Sequence, residues 1–168
     1  YGSPTYKYDM VDLARQVLAN YARTVYKNSI KAFREKKADD FEADSREFLS
    51  LLGLQDRLLG TEETFLLGRW LEKARQNGGV TAEEKRLAEM NARIQISYWG
   101  PDDPATLVHD YANKEWSGFI LDYYLPRWEA FYKNLKNQLS GAVPLEVDYF
   151  AMEKAWSERR DSYPVTPS

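Results

Sequence analysis

Between Asp9 and Lys37 no glycine or proline interrupts the chain, and Val11, Ala14, Leu18, Tyr21, Val25 and Ala32 recur at steps of three and four. That spacing lines one face of an amphipathic α-helix. Met10, Leu13 and Val17 widen the stripe, which predicts a central helix with more than one packing neighbour. A second helix is expected from Asp39 to Leu59, with Phe41, Phe48, Leu51, Leu52, Leu54 and Leu58 facing inward. Gly53 weakens its middle by about 1 kcal/mol relative to alanine. Gly60 reads as its stop. Thr61 then reads as the N-cap of a third helix, with Glu62 and Glu63 in the first turn where the helix dipole favours negative charge, and Asn77-Gly78-Gly79 ends it.

Thr81-Ala82-Glu83-Glu84 has the form of a capping box, so a fourth helix opens there and runs to about Tyr98. The glycine and two prolines of WGPDDPAT, residues 99–106, force a loop. A fifth helix is expected from Leu107 to Tyr124, and Pro126 either kinks it or begins a sixth that reaches Leu139. Gly141 and Pro144 close that segment. Asp148 caps a last helix, with Val147 and Met152 spaced as a hydrophobic staple, ending before Tyr163-Pro164. No strand pattern, repeat or low-complexity tract stands out. The fold class is therefore all-α, a single-domain bundle of about six to seven helices over residues 1–168, with a core from 6 to 160 and a loose tail at 161–168.

Length agrees with one domain, since 168 residues bury roughly 70% of the unfolded surface. With 43% hydrophobic, 29% charged and 14% aromatic residues, the composition is that of a packed globular chain. Net charge is −3, and the basic clusters REKK at 34–37 and ERR at 158–160 are short and mixed with acids, so nucleic acid is not an expected partner. No apolar run is long enough for a membrane span, and the absence of cysteine leaves the compartment open. The opening YGSPTYKYD and the closing PVTPS read as the edges of an excised domain or processed product.

Catalytic chemistry is poorly served. His109 is the one histidine, which excludes di-metal bundle sites and, without cysteine, the usual zinc sites. Carboxylate-only metal sites at Asp39-Asp40 or Asp102-Asp103 stay formally open, but a solvated helix start and a turn account for both pairs. Neither Ser97 nor Ser117 sits on a strand-turn-helix elbow, and no glycine-rich loop follows a strand. Glu83 and Glu84 have an adequate role as first-turn charges. No catalytic residue, metal or cofactor is assigned.

Aromatic residues crowd the stretch from Asn91 to Tyr132. Trp116, Phe119, Ile120, Tyr123, Tyr124, Trp128 and Phe131 repeat at helical spacing, as a core stripe does. Trp99 falls where the pattern has stopped. On a loop it is either a plug over the bundle end or a platform for the apolar face of a sugar ring, and periodicity leaves both open.

Three strings carry a resemblance: FLLGRWLEKAR at 65–75, NARIQISYWGP at 91–101, and DYANKEWSGFILDYYLPRWEAF at 110–131. Together with YDMVDLARQVLANY at 8–21, they resemble the C-terminal helical region of the α-N-acetylglucosaminidases, family 89 of the glycoside hydrolases. The likeness runs from about residue 6 to 160. It implies a domain of an exo-acting, retaining enzyme that removes terminal α-linked N-acetylglucosamine. Such enzymes use two carboxylates about 5–5.5 Å apart, and in this family both belong to a preceding (β/α)₈ barrel. The resemblance therefore implies an accessory domain, inactive alone, whose partners are the catalytic barrel of the same polypeptide and, through it, the glycan. It implies a secreted or periplasmic setting in bacteria and a lysosomal one in animals.

By motif match Trp99 is the residue expected nearest the sugar, with Tyr98, Pro101, Asp110, Tyr111 and Asn113 as neighbours. For Asp110 and Asn113, capping the fifth helix or bridging to the WGP loop serves equally well. The stretch DDPATLVH is long for the family, and no role is carried to His109. Two alternatives remain: a free-standing helical module that binds a protein through an exposed aromatic face, and a sugar-binding module active alone.

Overall fold

The helix begun by Pro4, whose missing N–H is harmless in a first turn, runs to Arg34 (α1) in the computed structural model, which describes residues 3–168. It starts earlier and stops sooner than the periodicity predicts. Lys36 adopts a left-handed φ of 57°, and the Lys37 and Lys36 amides donate back to the Ala32 and Phe33 carbonyls. That pairing is a Schellman stop. Helix α2 (Ala38–Leu59) passes Gly53 without interruption and returns antiparallel along α1.

The third helix departs from expectation at its start. The Thr61 hydroxyl donates to the Leu58 carbonyl instead of capping forward, a 3₁₀ turn occupies Glu63–Phe65, and α3 begins only at Leu67 and runs to Asn77. Helix α4 (Ala82–Ile96) opens with the expected capping box: the Glu84 amide donates to Thr81 Oγ1 at 3.2 Å and the Thr81 amide to Glu84 Oε2 at 2.8 Å.

The larger departure lies at 107–118, which is turn and loop rather than helix. Asp110 and Asn113 take left-handed φ values of 56° and 41°, a conformation Asp and Asn tolerate and helices do not. Ser117 then forms an isolated parallel bridge with Leu66. Gly118, at φ 87°, faces the Tyr163 ring so closely that a β-carbon would come within 2.7 Å of it. From Ile120 to Tyr124 the backbone is a π-helical turn that leads directly into α5 (Leu125–Leu139). The wider turn absorbs Pro126, which can neither donate a backbone bond nor accept a tight preceding turn. Helix α6 (Tyr149–Glu158) is capped by Asp148, whose carboxylate accepts the Ala151 amide at 2.9 Å.

Two aromatic-rich cores sit side by side. Val25, Ala32, Phe41, Phe48 and Tyr132 join α1, α2 and α5, while Leu67, Leu71, Ile96, Phe119, Tyr123 and Trp156 join α3, α4, the π turn and α6. Val11, Leu59, Phe65 and Ile120 connect them. Of the stripe at 116–131, Phe119, Ile120 and Tyr123 are buried core, Phe119 completely, while Trp116, Tyr124, Trp128 and Phe131 are partly buried and pack against the two cores.

Helix α1 is not central. Leu13 and Val17 are 60% exposed and Met10 nearly half, so the second apolar face has no partner among the described residues. Leu54, expected inward, is also exposed.

The last residues, expected to be loose, form an extended strap. Tyr163 is half-buried against the second core, its hydroxyl donates to Asp122 at 2.7 Å, and Ser168 donates to the Gly60 carbonyl at 3.0 Å. The fully buried Arg93 holds the strap from beneath, donating to the Asp161 carbonyl at 2.8 Å with its guanidinium between the Trp156 and Tyr163 rings.

Candidate functional site

One backbone bond closes the end of α4 and another joins it to the left-handed turn at 110–113. The Trp99 amide donates to the Ile94 carbonyl and the Asp110 amide to the Ser97 carbonyl, both at 2.8 Å. Trp99 itself is left-handed, with φ 35°, which is rare for a bulky aromatic and persists only where the surroundings enforce it. Its indole is 41% exposed and meets the Tyr111 ring edge-on at 5.3 Å. Tyr111 is more exposed still. An aromatic corner thus stands out from the bundle on a constrained loop.

The six residues picked from the sequence separate into three places. Trp99 and Tyr111 form the exposed corner, with Pro101 nearby in the exposed loop. Tyr98 faces the opposite way, 4% exposed and packed edge-on against Phe150 of α6 at 5.3 Å, so it supports the loop from behind. Asp110 and Asn113 lie at the polar end of a groove of about 590 Å³ between α1, α2 and α5. Tyr26, Phe48, Leu52, Tyr124 and Trp128 give that groove apolar walls.

Asp110 does not cap a helix. Its carboxylate accepts the Tyr123 hydroxyl at 3.0 Å and sits 2.8 and 3.0 Å from Arg127 Nη1. Arg127 also reaches Glu153 Oε1 from Nη2, at 3.1 Å, and the other oxygen of Glu153 meets His109 Nδ1. Glu153 is 1% exposed. The guanidinium lies over the Tyr123 ring at 4.9 Å. Burial pushes the Tyr123 phenol well above its ordinary range, with Arg127 opposing and Asp110 adding to the shift. Both carboxylates are engaged by protein donors, which suits them to hold the turn.

Arg127 and Glu153 were not singled out by sequence reasoning, which read Tyr123 as core and carried no role to His109. For Glu153 a signal existed: it shares a helical face with Tyr149 and Trp156, and a carboxylate on an apolar face needs buried partners. Of the acidic pairs, Asp39 and Asp40 lie in the first turn of α2. Asp102 pairs with Lys154, and Asp103 accepts the Ala105 amide at 2.8 Å.

Comparison with known proteins agrees over the whole length. Residues 1–168 match the family described as the alpha-N-acetylglucosaminidase (NAGLU) C-terminal domain. Human alpha-N-acetylglucosaminidase is 32% identical over 171 residues, covering 98% of this chain. A family 89 glycoside hydrolase from Clostridium perfringens, solved with 2-acetamido-1,2-dideoxynojirimycin, superposes with a TM-score of 0.90 at 36% identity over 97% of this chain. A doubly Glu-to-Gln enzyme of the same family and organism, solved with its substrate GlcNAc-α-1,4-galactose, gives the same values. The chain spans only 22% of the human relative's length and 19% of the bacterial one's.

Proposed function

The chain belongs to the family of α-N-acetylglucosaminidase C-terminal domains, and from that premise we propose that it serves as the accessory helical domain of a retaining exo-α-N-acetylglucosaminidase. It packs on a (β/α)₈ barrel elsewhere in the polypeptide and forms one wall of that barrel's sugar pocket. The relatives are about five times longer than this chain, which leaves ample polypeptide for a catalytic domain. The exposed Met10, Leu13 and Val17 stripe is the kind of apolar face that a neighbouring domain covers.

The observation that carries the reading is Trp99, a large aromatic held in a left-handed conformation with its indole presented to the outside. Backbone strain of this kind is spent where a side chain must point in one direction. An indole face packs on the C–H face of a pyranose and excludes water from that side. At a centre passing through an oxocarbenium-like transition state, it shapes and dries the pocket while the barrel's glutamates carry out the bond exchange.

In the full-length enzyme, Trp99→Ala is expected to lower kcat/KM for an aryl α-N-acetylglucosaminide by about ten- to a hundredfold, equivalent to roughly 1.4–2.7 kcal/mol. A folded variant within twofold of the parent would refute the reading.

A further inference from the structure

We propose that Glu153 is a positioning residue for the Trp99 wall, acting from α6 through His109, Arg127 and Asp110. The inference rests on the reading of Trp99 given above and adds the device that aims it.

Helix α6 grips the 98–110 segment on successive turns. Phe150 packs edge-on against Tyr98 at 5.3 Å and against His109 at 5.8 Å. Glu153 takes His109 directly and Arg127 at 3.1 Å. Lys154 pairs with Asp102. Glu153 is the one of these that reaches both ends of the polar cluster. One oxygen holds His109, the covalent neighbour of Asp110. The other holds Arg127, which binds the Asp110 carboxylate at 2.8 Å. The Asp110 amide in turn donates to Ser97, two residues before Trp99, and Tyr111 supports the indole edge.

Chemistry favours a geometric role over a stabilising one. A carboxylate that is 1% exposed pays heavily in desolvation, and well-packed apolar side chains serve stability as well or better. What the ionic cluster supplies is direction: Arg127 offers a planar fork with fixed donor angles, shared between one carboxylate on the loop and one on α6. Two left-handed non-glycine residues, Trp99 and Asp110, lie in the segment so held, and for the bulky Trp99 that conformation must be imposed from outside.

The test is a double-mutant cycle in the full-length enzyme, with kcat/KM on an aryl α-N-acetylglucosaminide and melting temperature read for each variant. Glu153→Gln is expected to lower kcat/KM about tenfold in the parent background and less than about twofold when Trp99→Ala is already present. His109→Ala removes one contact and leaves the Arg127 pair. It should show a smaller fall that also vanishes beside Trp99→Ala, and it carries the cycle if Glu153→Gln does not accumulate as folded protein. Equal falls in both backgrounds, or no fall in the parent, overturn the inference while the reading of Trp99 stands. A harmless Trp99→Ala overturns that reading and the inference with it.

Discussion

Gly68 lies in the first turn of α3, where the C-terminal strap crosses it. A β-carbon built there would overlap the Pro164 carbonyl oxygen and stand 2.5 Å from that of Tyr163 and 2.7 Å from the Pro164 carbonyl carbon. Ordinary contact begins near 3.4 Å, so the strap must retreat by about 1 Å along a backbone that cannot simply rotate away. The interactions at stake are the Arg93 bond to the Asp161 carbonyl, the Tyr163 bond to Asp122 and the Ser168 bond to Gly60. The first two involve charged groups. At about 0.5–1.5 kcal/mol per neutral bond and up to about 3 for a charged one, losing two of the three costs roughly 2–4 kcal/mol. Gly68→Ala should therefore destabilise the chain by that amount in urea titrations followed by tryptophan fluorescence.

The sign should reverse once residues 161–168 are removed. Gly68 is helical and its φ lies outside the left-handed range, so without the strap alanine is favoured over glycine by up to about 1 kcal/mol. A neutral Gly68→Ala in the intact chain, or equal destabilisation in both backgrounds, would refute the strap's role.

Phe119→Ala removes a fully buried ring stacked on Tyr123 at 4.5 Å and packed on Trp156 at 4.9 Å, and should cost about 3–5 kcal/mol. The exposed Leu107→Ala should stay within about 0.5 kcal/mol. A loss below about 2 kcal/mol at Phe119 in equilibrium unfolding would show that the aromatic knot is not the core. Stability should also fall as pH rises above the ordinary tyrosine value of 10.0. Burial raises the Tyr123, Tyr124 and Tyr163 phenols and pushes Tyr132 up to about 12. In that window the unfolded chain has released protons that the folded one keeps, so each pH unit favours unfolding. Tyr132→Phe should flatten the slope between pH 10 and about 12, and an unchanged slope would contradict the assignment.

How much was legible follows from where the determining contacts lie. Helices α1, α2 and α4 rest on periodicity and local capping, and their existence and type were readable from the sequence alone. The box at Thr81 and Glu84 is complete within four residues. The start of α3 was not readable, because Thr61 has N-cap chemistry and spends it on the preceding turn at Leu58. The stretch 107–118 has apolar spacing compatible with helix, but Asp110 is fixed by Arg127, Tyr123 and Ser97, all distant from its own turn. The Asp, Asn and Gly at 110, 113 and 118 were the local hint of left-handed backbone. Trp99 was legible as an aromatic outside the helical pattern. That Tyr98, its neighbour, points inward follows from Phe150, about fifty residues later in the chain.

On the proposed function, this domain shapes a sugar pocket whose chemistry belongs to the rest of the enzyme. The 168-residue chain, purified free of other polypeptide and assayed on an aryl α-N-acetylglucosaminide beside the full-length enzyme, tests it most directly. Turnover is expected from the full-length enzyme alone, and sustained hydrolysis by the isolated chain would show that it carries catalytic groups of its own.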